Sequence, residues 1–83
     1  MIKSYKLFFT LHCPKCPAVK AYLEKLDLKG EFIDAGTEEG LDEARKLNVA
    51  DVPTVVFFDE NNEEAAREHD VMDVKRVLKE KEA

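Results

Sequence analysis

Both cysteines of this chain lie in one short segment, residues 11–17, and two residues separate them. The segment follows an apolar run and precedes a stretch in which apolar residues recur every three or four positions. This pattern predicts a strand, a tight turn and a helix, with Cys13 and Cys16 at the turn. Because such spacing lets one thiol attack a disulfide and the other resolve the mixed disulfide, it indicates a redox dithiol.

The two thiols are predicted to have different roles because of their places in this turn. We expect Cys13 to cap the helix, where unpaired backbone N–H groups and the helix dipole favour a thiolate. Lys15, and His12 when protonated, would favour the same ionised form. Cys16 lies one helical turn further in and should be more shielded. We therefore predict Cys13 as the nucleophile and Cys16 as the resolving thiol.

Two prolines shape the predicted start of the helix. Pro14 suits the first helical position, where a missing N–H costs nothing. Pro17 fits less well, because its missing N–H would be the first to bond back to a cap at Cys13. We therefore expect an irregular first turn and a regular helix from about Ala18.

The composition narrows the choice of partners. We expect one small domain, residues 1–83, and the 45% apolar and 37% charged content is typical of globular proteins. The net charge of -5 disfavours nucleic acid and acidic membrane surfaces as partners. No run approaches the roughly 18 apolar residues of a membrane span. Since the first residues do not resemble a signal peptide, a cytoplasmic location is our expectation.

Four strands and three helices are predicted, in the order β-α-β-α-β-β-α. The strands cover residues 6–11, 31–35, 55–58 and 64–69. The first helix ends before Gly30 as a C-cap, the second runs from its cap Thr37 to Leu47, and the third follows its cap Asp70. A strand, a helix and a strand predict a parallel crossover, and the last two strands an antiparallel hairpin. The fold class is α/β, with a four-stranded mixed sheet and helices on both faces.

The inward faces of these helices are predicted from their apolar residues. Ala18 belongs to this face in the first helix, and Leu41 and Ala44 in the second. Gly40 should weaken the second helix by about 1 kcal/mol relative to alanine. His69 is expected only to end an edge strand.

With this element order, the chain resembles glutaredoxin-like or minimal thioredoxin-like proteins along nearly its whole length. Two motifs carry the resemblance. In the first, residues 13–17, the proline after the first cysteine is similar to glutaredoxins. The second, residues 52–54, has the sequence Val-Pro-Thr and is more similar to thioredoxins. The resemblance implies the thioredoxin fold and thiol–disulfide oxidoreductase activity. It also implies that the Val52–Pro53 bond is cis and that Pro53 lies against the dithiol.

The resemblance further implies a substrate site beside the cysteines. A cis proline would expose the backbone polar groups of Val52, which could pair with an extended substrate peptide. The predicted substrate-binding residues are His12, Pro14, Lys15, Val52, Pro53 and Thr54.

The chain also departs from the patterns of these families. His12 stands where thioredoxins usually have tryptophan, and Leu7 stands where they keep a buried carboxylate. Proton transfer from Cys16 would then use water, His12 or another group. Glutaredoxins that use glutathione carry a Gly-Gly turn and an aspartate after the third strand, whereas residues 58–63 here are acidic and lack glycine. We therefore expect protein disulfides as substrates, and a reductase or a low-molecular-weight thiol as the reductant.

Two other interpretations of the cysteine pair stay open. A zinc site usually needs four protein ligands, and two such motifs across a dimer could supply four sulfurs. Alternatively, the chain could be a non-catalytic thioredoxin-fold binding module. The redox interpretation requires no metal or organic cofactor, and under it we expect a monomer.

Overall fold

Residues 1–82, which the computed structural model describes, form seven elements in the predicted order. The strands are β1 (Ile2–Phe9), β2 (Lys29–Asp34), β3 (Thr54–Asp59) and β4 (Glu64–Glu68). The helices are α1 (Cys16–Glu24), α2 (Glu38–Lys46) and α3 (Val71–Glu82). Within these residues, none of the helices combines the length and the apolar character that crossing a membrane requires.

The four strands form one mixed sheet in the order β2-β1-β3-β4. β1 pairs in parallel with β2 and antiparallel with β3, and Phe8 lies opposite Thr54. β3 and β4 form the antiparallel hairpin. The predicted parallel crossover and hairpin are therefore confirmed. Because β1 and β3 are antiparallel neighbours, the carboxyl end of β1 and the start of β3 meet at the same end of the sheet.

Helices cover both faces of the sheet, as predicted. Successive side chains of a strand point to opposite faces, and the buried residues divide accordingly into two clusters. The cluster beneath α1 and α3 consists of Ile2, Tyr5, Leu7, Val19, Leu23, Val55, Phe57, Val74 and Leu78. The smaller cluster beneath α2 consists of Phe8, Ala44 and Val56.

The first strand lies earlier in the chain than predicted. It ends at Phe9, and Leu11, which was predicted to be its last residue, is 82% exposed. The backbone N–H of Cys13 donates to the carbonyl of Thr10 at 3.3 Å, so the chain leaves the sheet in a turn at this point. Leu11 is therefore part of the surface around the cysteines.

Gly30 lies within β2 and is not the predicted C-cap of α1, which ends at Glu24. It is opposite Tyr5 of β1, and a Cβ at this position would overlap the Tyr5 ring. Tyr5 is 5% exposed and donates its hydroxyl to the carbonyl of Leu23 at 3.4 Å. The glycine thus makes room for a cross-strand aromatic side chain.

The predicted cap of α2 is confirmed, since the Thr37 hydroxyl accepts the Gly40 N–H at 3.0 Å. Gly40 is itself buried, and a Cβ there would overlap the backbone carbonyl of Asp34. Leu41 is 41% exposed, so its predicted inward position is wrong. Leu41 lies about 100° around the helix from Gly40 and about 60° from Ala44, at the edge of the buried face.

Ala18 is also exposed, which contradicts its predicted inward position. The buried residues of α1 are Cys16, Val19 and Leu23, at steps of three and four. Ala18 lies outside this stripe because successive residues are about 100° apart around a helix.

Candidate active site

The two cysteines are joined by a disulfide bond just beyond the carboxyl end of β1. Their Cα atoms are 5.4 Å apart, within the usual range for disulfides. Cys13 is half-buried, whereas Cys16 is 5% exposed. The pair is therefore unequal, because one sulfur-bearing residue borders the solvent and the other is covered by the protein.

The helix begins at Cys16, two residues after the predicted first position Pro14 and two residues before Ala18, where the regular helix is predicted to begin, and Cys13 is not its cap. The N-cap is Lys15, α1 starts at Cys16, and the N–H of Val19 donates to the Lys15 carbonyl at 3.4 Å. With this start Pro17 falls in the first turn, where no intrahelical partner exists for an N–H in any case. The Cys13 sulfur nevertheless lies at the helix N-terminus, since it is bonded to the sulfur of the first helical residue.

Pro14 therefore lies before the helix, and its predicted place at the first helical position is wrong. Pro14 and Lys15 are exposed and line a cavity of about 340 Å³ between the starts of α1 and α3. Its other lining residues are Ala18, Val19, Asp70, Val71 and Met72. His12 is exposed in the turn before the cysteines.

An apolar groove of about 270 Å³ adjoins the disulfide. It is lined by Phe9, Thr10, Leu11, Cys13, Cys16, Pro17 and Lys20. The ammonium group of Lys20 lies 6.0 Å from the ring centre of Phe9 and 5.2 Å from that of Phe32. Both sulfur-bearing residues thus border a groove that combines hydrocarbon surface with a positive charge.

The second motif starts β3, and its Val52–Pro53 bond is cis, as predicted. Because Phe8 pairs with Thr54, the register places Pro53 beside Phe9, at the end of β1 that leads to the cysteines. Val52 is half-buried, whereas Pro53 is buried and Thr54 is 0% exposed. The Thr54 hydroxyl donates to the carbonyl of Asp51 at 2.6 Å.

His69 makes contacts that the sequence interpretation missed. Its Nδ1 atom lies 3.1 Å from the hydroxyl oxygen of Thr54 and 3.3 Å from the carbonyl oxygen of Pro53. Nothing in the sequence near His69 indicates these partners, since they depend on the pairing of β4 with β3.

Asp70 caps α3, as predicted, and accepts the backbone N–H of Asp73 at 2.8 Å. This hydrogen bond is the main reason why the pKa of the Asp70 carboxyl lies below its usual value, and the positive charge of Lys15 acts in the same direction. Both residues line the cavity between the starts of α1 and α3.

Among the described residues, no group of three or more His, Cys, Asp or Glu side chains is placed to hold a metal ion.

No protein-family model and no curated protein matches the chain by sequence. Its structure is similar to thioredoxin O2 from Arabidopsis thaliana in the oxidized state, with 23% identity, a TM-score of 0.82 and coverage of 95% of this chain and 74% of that chain. It is similar to thioredoxin 1 from Thermosipho africanus, with 22% identity, a TM-score of 0.75 and coverage of 92% and 86%. The reduced thioredoxin pre-protein of Schistosoma mansoni gives 25% identity, a TM-score of 0.74 and coverage of 93% and 76%.

The fold and the cysteine pair together define the class of protein. This is a thioredoxin-fold protein, and its Cys13–Cys16 pair fits the Cys-x-x-Cys motif of that superfamily. The structural neighbours and the bonded cysteines together support thiol–disulfide oxidoreductase chemistry at this level. The glutaredoxin-like subtype stays a prediction.

Proposed function

We propose that the protein is a thiol–disulfide oxidoreductase that acts on protein disulfides. The Cys13 thiolate attacks one sulfur of the substrate disulfide, forming a mixed disulfide and releasing the other substrate sulfur as a thiolate. The Cys16 thiolate then attacks the Cys13 sulfur and releases the second substrate thiolate. The substrate has gained a pair of electrons, and the Cys13–Cys16 disulfide is reduced again by a reductase or a low-molecular-weight thiol.

The unequal exposure of the bonded cysteines is the observation that carries this proposal. An incoming disulfide must approach the attacking sulfur from the solvent, and Cys13 is the more accessible residue of the pair. Cys16, at 5% exposure, is protected from external disulfides but lies within bonding reach of Cys13. This arrangement supports Cys13 as the nucleophile and Cys16 as the resolving thiol.

The surroundings of the disulfide support an extended polypeptide as the substrate. The apolar groove can take a side chain that flanks the substrate cysteine, and the backbone of Val52 can pair with the substrate in strand fashion. Because Thr54 is fully buried, we propose that it acts through its hydrogen bonds and not by touching the substrate. His12, Pro14 and Lys15 are exposed next to the cysteines, where a bound peptide would pass.

The proton of Cys16 cannot pass to an acid at position 7. Leu7 is 0% exposed and packs in the cluster beneath α1 and α3, and its hydrocarbon side chain carries no exchangeable proton. We therefore propose that the proton leaves through water or through His12.

Reduction of insulin in the presence of dithiothreitol tests the function. The wild-type protein should accelerate precipitation of the insulin chains, and the Cys13→Ser variant should not exceed the rate with dithiothreitol alone. The reduced Cys16→Ser variant, mixed with insulin after dithiothreitol has been removed, should accumulate a mixed disulfide between Cys13 and the substrate, visible by mass spectrometry. A wild-type rate equal to that of dithiothreitol alone would contradict the proposal, and stoichiometric zinc or iron in such a preparation would favour a binding module.

A further inference from the structure

The ring of His69 connects the residue after β4 to the start of β3 and to the proline that precedes it. His69 directly follows β4, and its Nδ1 atom lies 3.1 Å from the Thr54 hydroxyl oxygen and 3.3 Å from the Pro53 carbonyl oxygen. Both partners belong to the Val-Pro-Thr motif at the end of the sheet where the disulfide lies. A single ring nitrogen thus contacts two consecutive residues of the proposed substrate-binding segment.

Counting hydrogens identifies the donor in these contacts. A threonine hydroxyl has one hydrogen, and the Thr54 hydroxyl donates it to the carbonyl of Asp51 at 2.6 Å. The Thr54 oxygen can therefore only accept from His69. The Pro53 carbonyl is also only an acceptor. Both contacts require a hydrogen on Nδ1, so His69 is either the Nδ1–H tautomer or the imidazolium ion.

We propose that His69 is a positioning residue for protein substrates, and that its Nδ1–H group orients the backbone of the Val52–Pro53 segment. The inference rests on the proposed function, because it assigns a residue to the binding of that function's substrate. Since the hydrogen bond from Thr54 to Asp51 does not involve the ring, the segment keeps one connection without His69. Loss of the ring should therefore affect the alignment of the segment more than the folding of the chain.

Two disulfide substrates of different size distinguish an effect on substrate positioning from an effect on the thiol–disulfide exchange itself. A protein disulfide uses the Val52 backbone, whereas a small aromatic disulfide that releases a coloured thiolate needs only the cysteines. We expect His69→Leu to lower kcat/KM for insulin reduction by about tenfold, mainly through KM. The same variant should reduce the small disulfide within about twofold of the wild-type rate, since neither cysteine is changed.

His69→Asn is the matched rescue variant. The Nδ2 atom of asparagine is as many bonds from Cα as Nδ1 of histidine and is also a donor. It should restore insulin reduction to within about threefold of wild type. If leucine prevents folding, this variant still decides the outcome, because a tenfold loss with asparagine in a folded protein would overturn the proposal.

The tautomer gives a readout that does not depend on activity. At alkaline pH, where imidazoles are neutral, ¹⁵N NMR of the wild-type protein should show His69 protonated at Nδ1 and unprotonated at Nε2. Protonation at Nε2 alone would overturn the inference. The proposed function fails separately: a wild-type protein that reduces neither disulfide contradicts the function and with it the role of His69. An active wild type matched by His69→Leu on insulin contradicts only the role of His69.

Discussion

The guanidinium group of Arg67, on the edge strand β4, donates a hydrogen bond of 2.6 Å to the carbonyl of Leu47, the C-cap of α2. A second hydrogen bond, of 3.0 Å, reaches the carbonyl of Asn48. The last carbonyls of a helix have no partner within the helix. Arg67 therefore supplies hydrogen-bond donors to carbonyls at the end of α2. These hydrogen bonds connect α2 to β4, the edge strand on the opposite side of the sheet from β2.

Replacing Arg67 with methionine should lower the free energy of unfolding by about 1–3 kcal/mol, because hydrogen bonds from a charged donor are lost. Arg76→Met is the matched control. Arg67 pairs with Glu64 and Arg76 with Asp73, in each case an acid three residues earlier. Because Arg76 is 65% exposed, its loss should cost less than about 0.5 kcal/mol. Urea denaturation measures both values, and equal effects would contradict the role of Arg67.

Alanine at Gly40 should destabilise the protein although it favours helix formation. The gain in helix propensity is about 1 kcal/mol, but the added Cβ would overlap the backbone carbonyl of Asp34. Relieving this overlap requires backbone movement, and we expect a net loss of about 1–3 kcal/mol.

Gly36→Ala is the control for that substitution. Its added Cβ would meet only a side-chain oxygen of Asp34, at 3.1 Å, so we expect a change within about 0.5 kcal/mol. Thermal or urea unfolding compares the two variants. A stability gain in Gly40→Ala would show that α2 can shift away from β2 at little cost.

The low pKa of the Asp70 carboxyl predicts a loss of stability in acid. Its pKa is held below the usual value of 3.8, mainly by the backbone N–H of Asp73 and also by the charge of Lys15. Because the folded state favours the ionised form, this stabilisation is present above 3.8 and is lost as pH falls through the lower folded pKa.

Asp70→Asn tests this pH dependence, since asparagine keeps the cap acceptor but has no charge. The wild-type protein should be more stable than the variant near neutral pH. This difference should shrink as the pH falls below 3.8. Urea midpoints at several pH values measure it, and a difference that stays constant into acid would contradict the assignment.

After reduction, the two cysteines should differ in their reaction with iodoacetamide. Cys13 is half-buried and Cys16 is 5% exposed, so Cys13 should be alkylated at least about tenfold faster. Mass spectrometry of peptides from timed samples gives both rates. Equal rates in the folded protein, with denatured protein as the reference, would contradict the assignment of nucleophile and resolving thiol.

Leu11 should contribute to binding of a protein substrate. It is 82% exposed and lines the groove beside the disulfide. Leu11→Ser should lower kcat/KM for insulin by about threefold to tenfold, because apolar contact with the substrate is lost. Leu41→Ser is the control, since Leu41 is exposed on α2 and does not line this groove. Similar losses in both variants would argue against a binding role for the groove.

Local patterns in the sequence were enough to predict the order of elements and the place of the cysteine pair. Thr37 and Asp70 were found as caps because a cap depends on residues close in the chain. The predicted start of α1 is wrong because the position of the N-cap depends on the turn by which the chain leaves β1. That turn places the N-cap at Lys15 and not at Cys13. The prediction for His69 was incomplete for a different reason, namely that its partners lie 15 and 16 residues away. The proposed substrate-binding roles of His12 and Lys15 stay predictions.

The role of Gly40 could not be predicted from the sequence either, because it depends on packing between two elements. Helix propensity alone makes this glycine unfavourable, and only the contact between α2 and the end of β2 reveals why a larger residue does not fit. Contacts between elements decide such positions, and a propensity scale does not contain them.

The outer strands of the sheet both carry charged residues. β2 contains Lys29, Glu31 and Asp34, and β4 contains Glu64, Arg67 and Glu68. A strand border with unpaired backbone groups can template fibril growth, and charges along it oppose this because an added strand would have to desolvate them. Glutamate and alanine, which make up most of β4, are depleted in strands. The charges of this segment therefore oppose aggregation by strand addition at the edge of the sheet.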